Sequence, residues 1–216
     1  MKKVIEETNL DYIKWYMNRN ITEAYSTYLE QNGINQTEFF HRYILGVYEL
    51  YTKILTEFPN VLIEGCAGGG GRYDLGILYY SPQIWPSDDS DAVERLKIQS
   101  GTLLAYPLSS FSNHVSVVPN HQVGRMTSMK MRQDVAMFGP LGYELDLDQL
   151  TESEKKEISE RILFYKQHRA LLTFGTFRQL IELDDQNNEY CWSVYDEATG
   201  EAMVGFYRIL AEPNPS

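Results

Sequence analysis

The side chains best suited to chemistry stand in a few short clusters. Lys14 and the run from Tyr16 to Arg19 form the first, in KWYMNR; Cys66, the glycines from Gly68 to Gly71, Arg72 and Asp74 form the second; Asp88 and Asp89 form the third, in WPSDDSD. Ser110 to His114, then Asn120, His121 and Arg125, complete the set. A carboxyl can pass protons, and an ammonium or a carboxamide can hydrogen-bond neutral hydroxyls. Each cluster also has a plainer reading. Asp88 and Asp89 could cap the helix that follows them, and Lys14 could be a surface lysine at a strand end. GGGGR lacks the Lys-Ser/Thr of a P-loop and the spacing of a dinucleotide fingerprint, so its glycines read as backbone that must approach something closely. His114 and His121 are too far apart for a helical metal pair and read as structural. No metal or organic cofactor is implied.

The elements that must position these clusters alternate in type. Asp11 to Trp15 reads as a strand. Residues 37–58 place Phe40, Tyr43, Ile44, Val47, Tyr51, Ile54, Leu55 and Phe58 at helical spacing, ended by Pro59. VLIEGCA from Val61 is the next strand, 68–74 the loop after it, 75–80 a helical turn or two, and Ile84 with Trp85 a brief strand. Asp91 and Glu94 resemble a capping box opening a helix through Leu104. A strand at Val115 to Val118, a helix at Met126 to Met137, a strand-like GYELDL from Gly142 and a charged helix from Thr151 to about His168 follow. This rhythm implies parallel β-α units, either an open doubly wound sheet or part of a (β/α)8 barrel, in which loops at the C-terminal ends of strands carry the site. From Ala170 on, ALLTFGTFRQLIEL, YCWSVYD and EAMVGFYRIL read as strands joined by DDQNN and EATG, turn chemistry for antiparallel hairpins. The expected organisation is therefore an α/β region over 1–169 and a small β region over 170–216. The latter offers about three strands where a sandwich needs about seven.

Composition excludes several classes. A net charge of −11 argues against a nucleic-acid partner, whose binding rests on clustered Lys and Arg. No apolar run approaches the roughly 20 residues of a membrane span, and MKKVIEETNL has no signal-peptide core, so a cytoplasmic address without membrane attachment is expected. Cys66 and Cys191, the only cysteines, supply neither a disulfide framework nor metal-ligand spacing. The 16 tyrosines and 3 tryptophans offer faces suited to sugar rings, although most read as core or half-buried surface.

Taken together, DYIKWYMNRNITE, CAGGGGRYDLGILYYSPQIWPSDDSDAVERLKIQ, NHVSVVPNHQVGR and GPLGYELDL closely resemble the catalytic core of family 36 glycoside hydrolases, the bacterial α-galactosidases. The resemblance runs in order from about residue 9 to residue 150. It implies the second half of a (β/α)8 barrel followed by part of a C-terminal antiparallel β-sandwich. It also implies removal of terminal α-galactose from raffinose- or melibiose-type oligosaccharides with retention of configuration. Retention needs two carboxyl groups about 5 Å apart, one attacking the sugar carbon and the other protonating the leaving oxygen.

The family's nucleophile is the aspartate of K-W-D-M-N-R, and this chain has Tyr16 there. The acid/base aspartate of W-x-S-D-D corresponds to Asp88. Lys14 and Asn18 correspond to residues that bind galactose hydroxyls, and Cys66 and Gly68 to the C-x-G-G-G-G-R-x-D loop lining the sugar. A phenol attacks only when a base takes its proton, and a tyrosine fills space that a sugar ring would need, so loss of the covalent mechanism is expected. The chain starts at about the family's fourth barrel strand, and Met1 reads as an internal start in a truncated or interrupted gene. A half-barrel exposes strand edges that closure would pair, so self-association or a complementary chain is expected. Three functions fit: an inactive α-galactosidase segment, a non-catalytic galactoside-binding protein, and an interaction module completed by another chain.

Overall fold

A computed structural model describes residues 1–19, 21–182, 184, 188–211 and 213. The chain forms two compact units, Met1–Ile84 and Trp85–Ser216. Asn20 and the centre of the expected DDQNN turn, 185–187, lie outside the described residues.

In the first unit, α1 (Lys2–Thr8) leads into β1 (Tyr12–Tyr16). A short α2 (Thr27–Gln31), which the sequence reading missed, is capped by the Ser26 hydroxyl accepting from the Leu29 amide. Then come α3 (Phe39–Glu57), β2 (Leu62–Cys66), α4 (Leu75–Leu78) and β3 (Gln83–Ile84). The strands pair in parallel in the order β1-β2-β3, which the intervening helices permit by returning the chain to the starting edge. The apolar stripe of α3 meets one face of this sheet. Val47 and Tyr51 pack with Ile63, Ile77 and Ile84, and with the partly buried Ile13 and Trp15. The Tyr51 ring is fully buried and edge-on to Trp15 at 5.0 Å, a burial that contributes about 2 kcal/mol. Strand alternation then fixes the opposite face: Lys14 and Tyr16, Glu64 and Cys66, and Gln83 share it.

The second unit contains α5 (Ala92–Leu103), β4 (Asn113–Ser116), α6 (Met129–Ala136), β5 (Leu141–Glu144) and α7 (Glu152–Phe174). It ends in β6 (Thr176–Gln179), β7 (Glu189–Asp196) and β8 (Glu201–Arg208). β4 and β5 are parallel, whereas β6-β7-β8 is antiparallel. The fold is thus α/β with an antiparallel sheet. Three expectations shift. The strand expected at Val115 to Val118 lies two residues earlier, and α6 begins at Met129 because the Ser128 hydroxyl caps it by accepting from the Met131 amide. The last helix, expected to end near His168, continues to Phe174 because Leu171, Leu172 and Thr173 are buried on its inner face, and extended Gly175 stops it. ALLTF is therefore helical, and the β region starts at Thr176.

One face of the antiparallel sheet presents Tyr190, Trp192, Val194 and Tyr207 to Leu96, Val135, Phe138 and Leu172. The Trp192 indole N–H donates to the Ser100 hydroxyl at 3.0 Å, tying β7 to α5. At the β7–β8 turn, Gly200 takes φ +71 and donates its N–H to the Asp196 carbonyl at 2.9 Å, so the EATG turn forms as expected.

Candidate active site

Within the first unit, five of the expected site residues come together around the ends of β1 and β2. Lys14 faces Glu64 in the strand register, and Glu64 faces Gln83, so three polar side chains form a row across the sheet. Lys14 Nζ lies 3.6 Å from Glu64 Oε1, and Gln83 Nε2 donates to Glu64 Oε2 at 3.2 Å. The Glu64 side chain is only 2% exposed and Lys14 32%, so the lysine is the wet end of a buried ion pair. Lys14 thus stands in mid-strand, not at a strand end, exposed on the sheet face and opposite a buried carboxylate.

One pleat further on, Tyr16 stands opposite Cys66. Tyr16 is 60% exposed and Cys66 is buried. The Met17 N–H donates to the Cys66 carbonyl at 3.2 Å, prolonging the pairing by one bond. The Arg72 guanidinium then donates to the carbonyls of Met17 at 3.2 Å and Cys66 at 2.8 Å, clamping both strand exits. Asn18 bridges them from the other side. Its Nδ2 donates to Tyr16 Oη, and its Oδ1 accepts from the Gly68 N–H at 2.6 Å. Gly68 and Gly69 take φ +61 and +78, a region that L side chains rarely adopt, and the Gly71 N–H donates to the Ala67 carbonyl at 3.2 Å. The glycine run folds on itself and aims one backbone donor at Asn18. Asp74, by contrast, is structural: its carboxylate caps α4, accepting from Gly76 at 2.7 Å and Ile77 at 2.9 Å.

The second unit carries Asp88, half-buried in the segment before α5. The cap of that helix is Asp91, whose Oδ2 accepts from Val93 at 3.0 Å and Glu94 at 3.1 Å. The expected capping box is only half made, because the Glu94 carboxylate turns to Arg125 at 3.1 Å while the Asp91 N–H donates to Asp89 Oδ1 at 3.0 Å. Arg125 also pairs with Asp91. Ser90 is pinned three ways, its N–H donating to Gln122 at 3.1 Å, its carbonyl accepting from the Ser116 hydroxyl at 2.9 Å and its own hydroxyl accepting from Asn120 at 3.2 Å. The segment bearing Asp88 is thereby held by the last residue of β4 and by the loop that follows it.

Beneath it, Arg95 is buried with its guanidinium 4.7 Å from the centre of the Trp85 ring. Its Nη2 donates to Asn113 Oδ1 at 2.6 Å and to the Ser112 carbonyl at 3.0 Å. Burial pushes this guanidinium down to about 9, with Asp89 acting in the opposite direction. His114 stacks on Trp85 at 4.3 Å, and its Nδ1 lies 3.1 Å from Glu144 Oε2, a structural role. His121 is exposed.

Sequence reasoning missed Glu64; it placed Arg72 among the candidates without the strand-exit role seen here, and it read Asp91 as the helix cap that it is. The signal for Glu64 was present: it is the lone charge in the apolar run VLIEGCA, two residues from Cys66 and hence on the same strand face. Among the described residues, no cluster of His, Cys, Asp and Glu could hold a metal ion, and no helix is long and apolar enough to cross a membrane.

Comparison with known proteins adds an independent line. The family model described as Melibiase matches residues 1–175. The chain is 48% identical over 214 residues to the α-galactosidase AgaA of Geobacillus stearothermophilus, covering 99% of this chain and 29% of that protein. The crystal structure of the α-galactosidase from Lactobacillus brevis superposes with a TM-score of 0.95 at 47% identity, over 100% of this chain and 29% of that one. An AgaA variant solved in complex with raffinose gives 0.90 at 45% identity, over 99% of this chain and 29% of that one. The chain thus spans 29% of the length of these relatives.

Proposed function

The chain belongs to the melibiase family, and from that premise we propose that it is part of an α-galactosidase catalytic domain that no longer performs the covalent reaction. In this reading the region placed at 1–169 corresponds to the second half of a (β/α)8 barrel and the region placed at 170–216, whose strands begin only at Thr176, to part of a C-terminal β-sandwich. The ligand is an α-galactoside oligosaccharide, consistent with the raffinose bound by the AgaA variant. Lys14 and Asn18 donate to galactose hydroxyls, Cys66 and Gly68 line the sugar, and Asp88 is the acid/base. Tyr16 stands where the nucleophile belongs.

The observation that carries the loss of hydrolysis is the partner of Tyr16. Its hydroxyl accepts a hydrogen bond from the Asn18 side-chain N–H, and that nitrogen is no base for the phenol proton, so the contact does not make the phenol a nucleophile. A retaining mechanism lacking its attacking carboxylate forms no glycosyl-enzyme intermediate. The expected result is no release of galactose from raffinose or melibiose by the chain, and no covalent label at Tyr16 from a mechanism-based galactosyl inhibitor. Attachment of that label to Tyr16 would overturn the proposal.

A second reading, galactoside binding without hydrolysis, is favoured by the convergence of Lys14, Asn18 and the Gly68 loop despite Tyr16. Calorimetric unfolding with and without high galactose separates the two: a cooperative transition raised by galactose supports binding, and an unmoved one leaves only the inactive segment.

A further inference from the structure

We infer that Glu64 is a positioning residue that holds the Lys14 ammonium in the sugar-facing orientation, so that hydroxyl recognition by Lys14 depends on a buried carboxylate outside the ligand set. The role of Lys14 toward sugar rests on the function proposed above, whereas its dependence on Glu64 rests on geometry alone. A buried carboxylate is tolerated only when a cation and hydrogen-bond donors face it. Glu64 has both, from opposite sides. Lys14 on β1 supplies the charge at 3.6 Å, and Gln83 on β3 supplies a donor at 3.2 Å to the other oxygen. Because the three residues are register partners in one parallel sheet, backbone pairing fixes their spacing.

The consequence for Lys14 is directional. A lysine side chain has four rotatable carbons and a compact charge, and at an exposed site it samples many rotamers. With Glu64 anchoring one side of the ammonium, the charge is held at one place on the sheet face while 32% of the side chain stays accessible. A sugar hydroxyl then meets a donor that is already placed, with less ordering left to do on binding.

The test uses the whole chain and two readouts. The first is the 15N NMR signal of the Lys14 ammonium, which is sharp and slowly exchanging only when the group is held. The second is galactose affinity by calorimetric titration. Glu64→Gln keeps shape and removes charge; it is expected to abolish the held signal and weaken galactose binding at least tenfold. Lys14→Met should weaken binding equally, and the double variant no further, because the two act as one unit. Glu64→Asp, which retains the charge on a shorter arm, should recover part of both. If Glu64→Gln fails to fold, the comparison of Glu64→Asp with the unmodified chain decides, with a weakened Lys14 signal expected. A Lys14 signal unchanged in these variants overturns the inference. If no form binds galactose while the Lys14 signal responds as expected, the sugar-site reading fails and the positioning role stands.

Discussion

Asp91 and Arg125 show how much the segment carrying Asp88 depends on its neighbours for anchorage. Asp91 is buried, accepts two helix-capping N–H bonds and pairs with Arg125, which reaches it from beyond β4. Arg125 is 37% exposed, so the pair lies between the surface case, worth about 0–1 kcal/mol, and the buried one, where removing a partner costs about 3–5 kcal/mol. Arg125→Met is therefore expected to destabilise the chain by about 2 kcal/mol in urea unfolding, and Asp91→Asn by less, since an amide oxygen still accepts at the cap. An Arg125→Met variant as stable as the parent would assign the capping bonds, not the ion pair, the whole of this segment's anchorage. The cap was legible in the sequence, since the spacing of Asp91 and Glu94 marks it, but the ion pair with Arg125 was not, because it depends on how the chain returns after β4.

The long helix α7 illustrates at the level of an element what a sequence can and cannot reveal. Its start was legible because Thr151 and Glu154 form a reciprocal capping box, hydroxyl to Glu154 N–H at 3.2 Å and carboxylate to Thr151 N–H at 2.8 Å. Thr151→Ala should cost about 1 kcal/mol, read as a lowered unfolding midpoint with an unchanged m-value. Its end was not legible. ALLTF suits a strand by composition and a buried helix by periodicity, and only packing against the antiparallel sheet decides between them. The same reasoning explains β1 and β2. Their existence follows from alternation in β1 and from an apolar run in β2, but the pairing of Lys14 with Glu64 depends on register between strands 50 residues apart, which a single sequence does not state.

At the scale of the molecule, each unit has its own core, and each core encloses a phenol whose ionisation burial opposes. Burial pushes Tyr51 up in the first unit, and it pushes Tyr207 well above the ordinary phenol range in the second, where its hydroxyl donates to the Asp134 carbonyl at 2.8 Å. A raised folded value means that the unfolded chain loses the proton first, so this stability is present below about pH 10 and is lost as pH rises above it. Tyr207→Phe should therefore flatten the alkaline limb of the stability curve, while lowering stability at pH 7 by about 1 kcal/mol for the lost hydrogen bond. Urea unfolding followed by circular dichroism between pH 8 and pH 11 measures both effects; an unchanged alkaline slope would show that other tyrosines set it. The placement of the indoles has a practical corollary. Trp15 belongs to the first unit, while Trp85, stacked on His114, and Trp192, bonded to Ser100, belong to the second. A Trp15→Phe chain would carry indoles only in the second unit, and its difference from the unmodified chain would isolate the first, so native indole fluorescence can report on each unit without an attached dye.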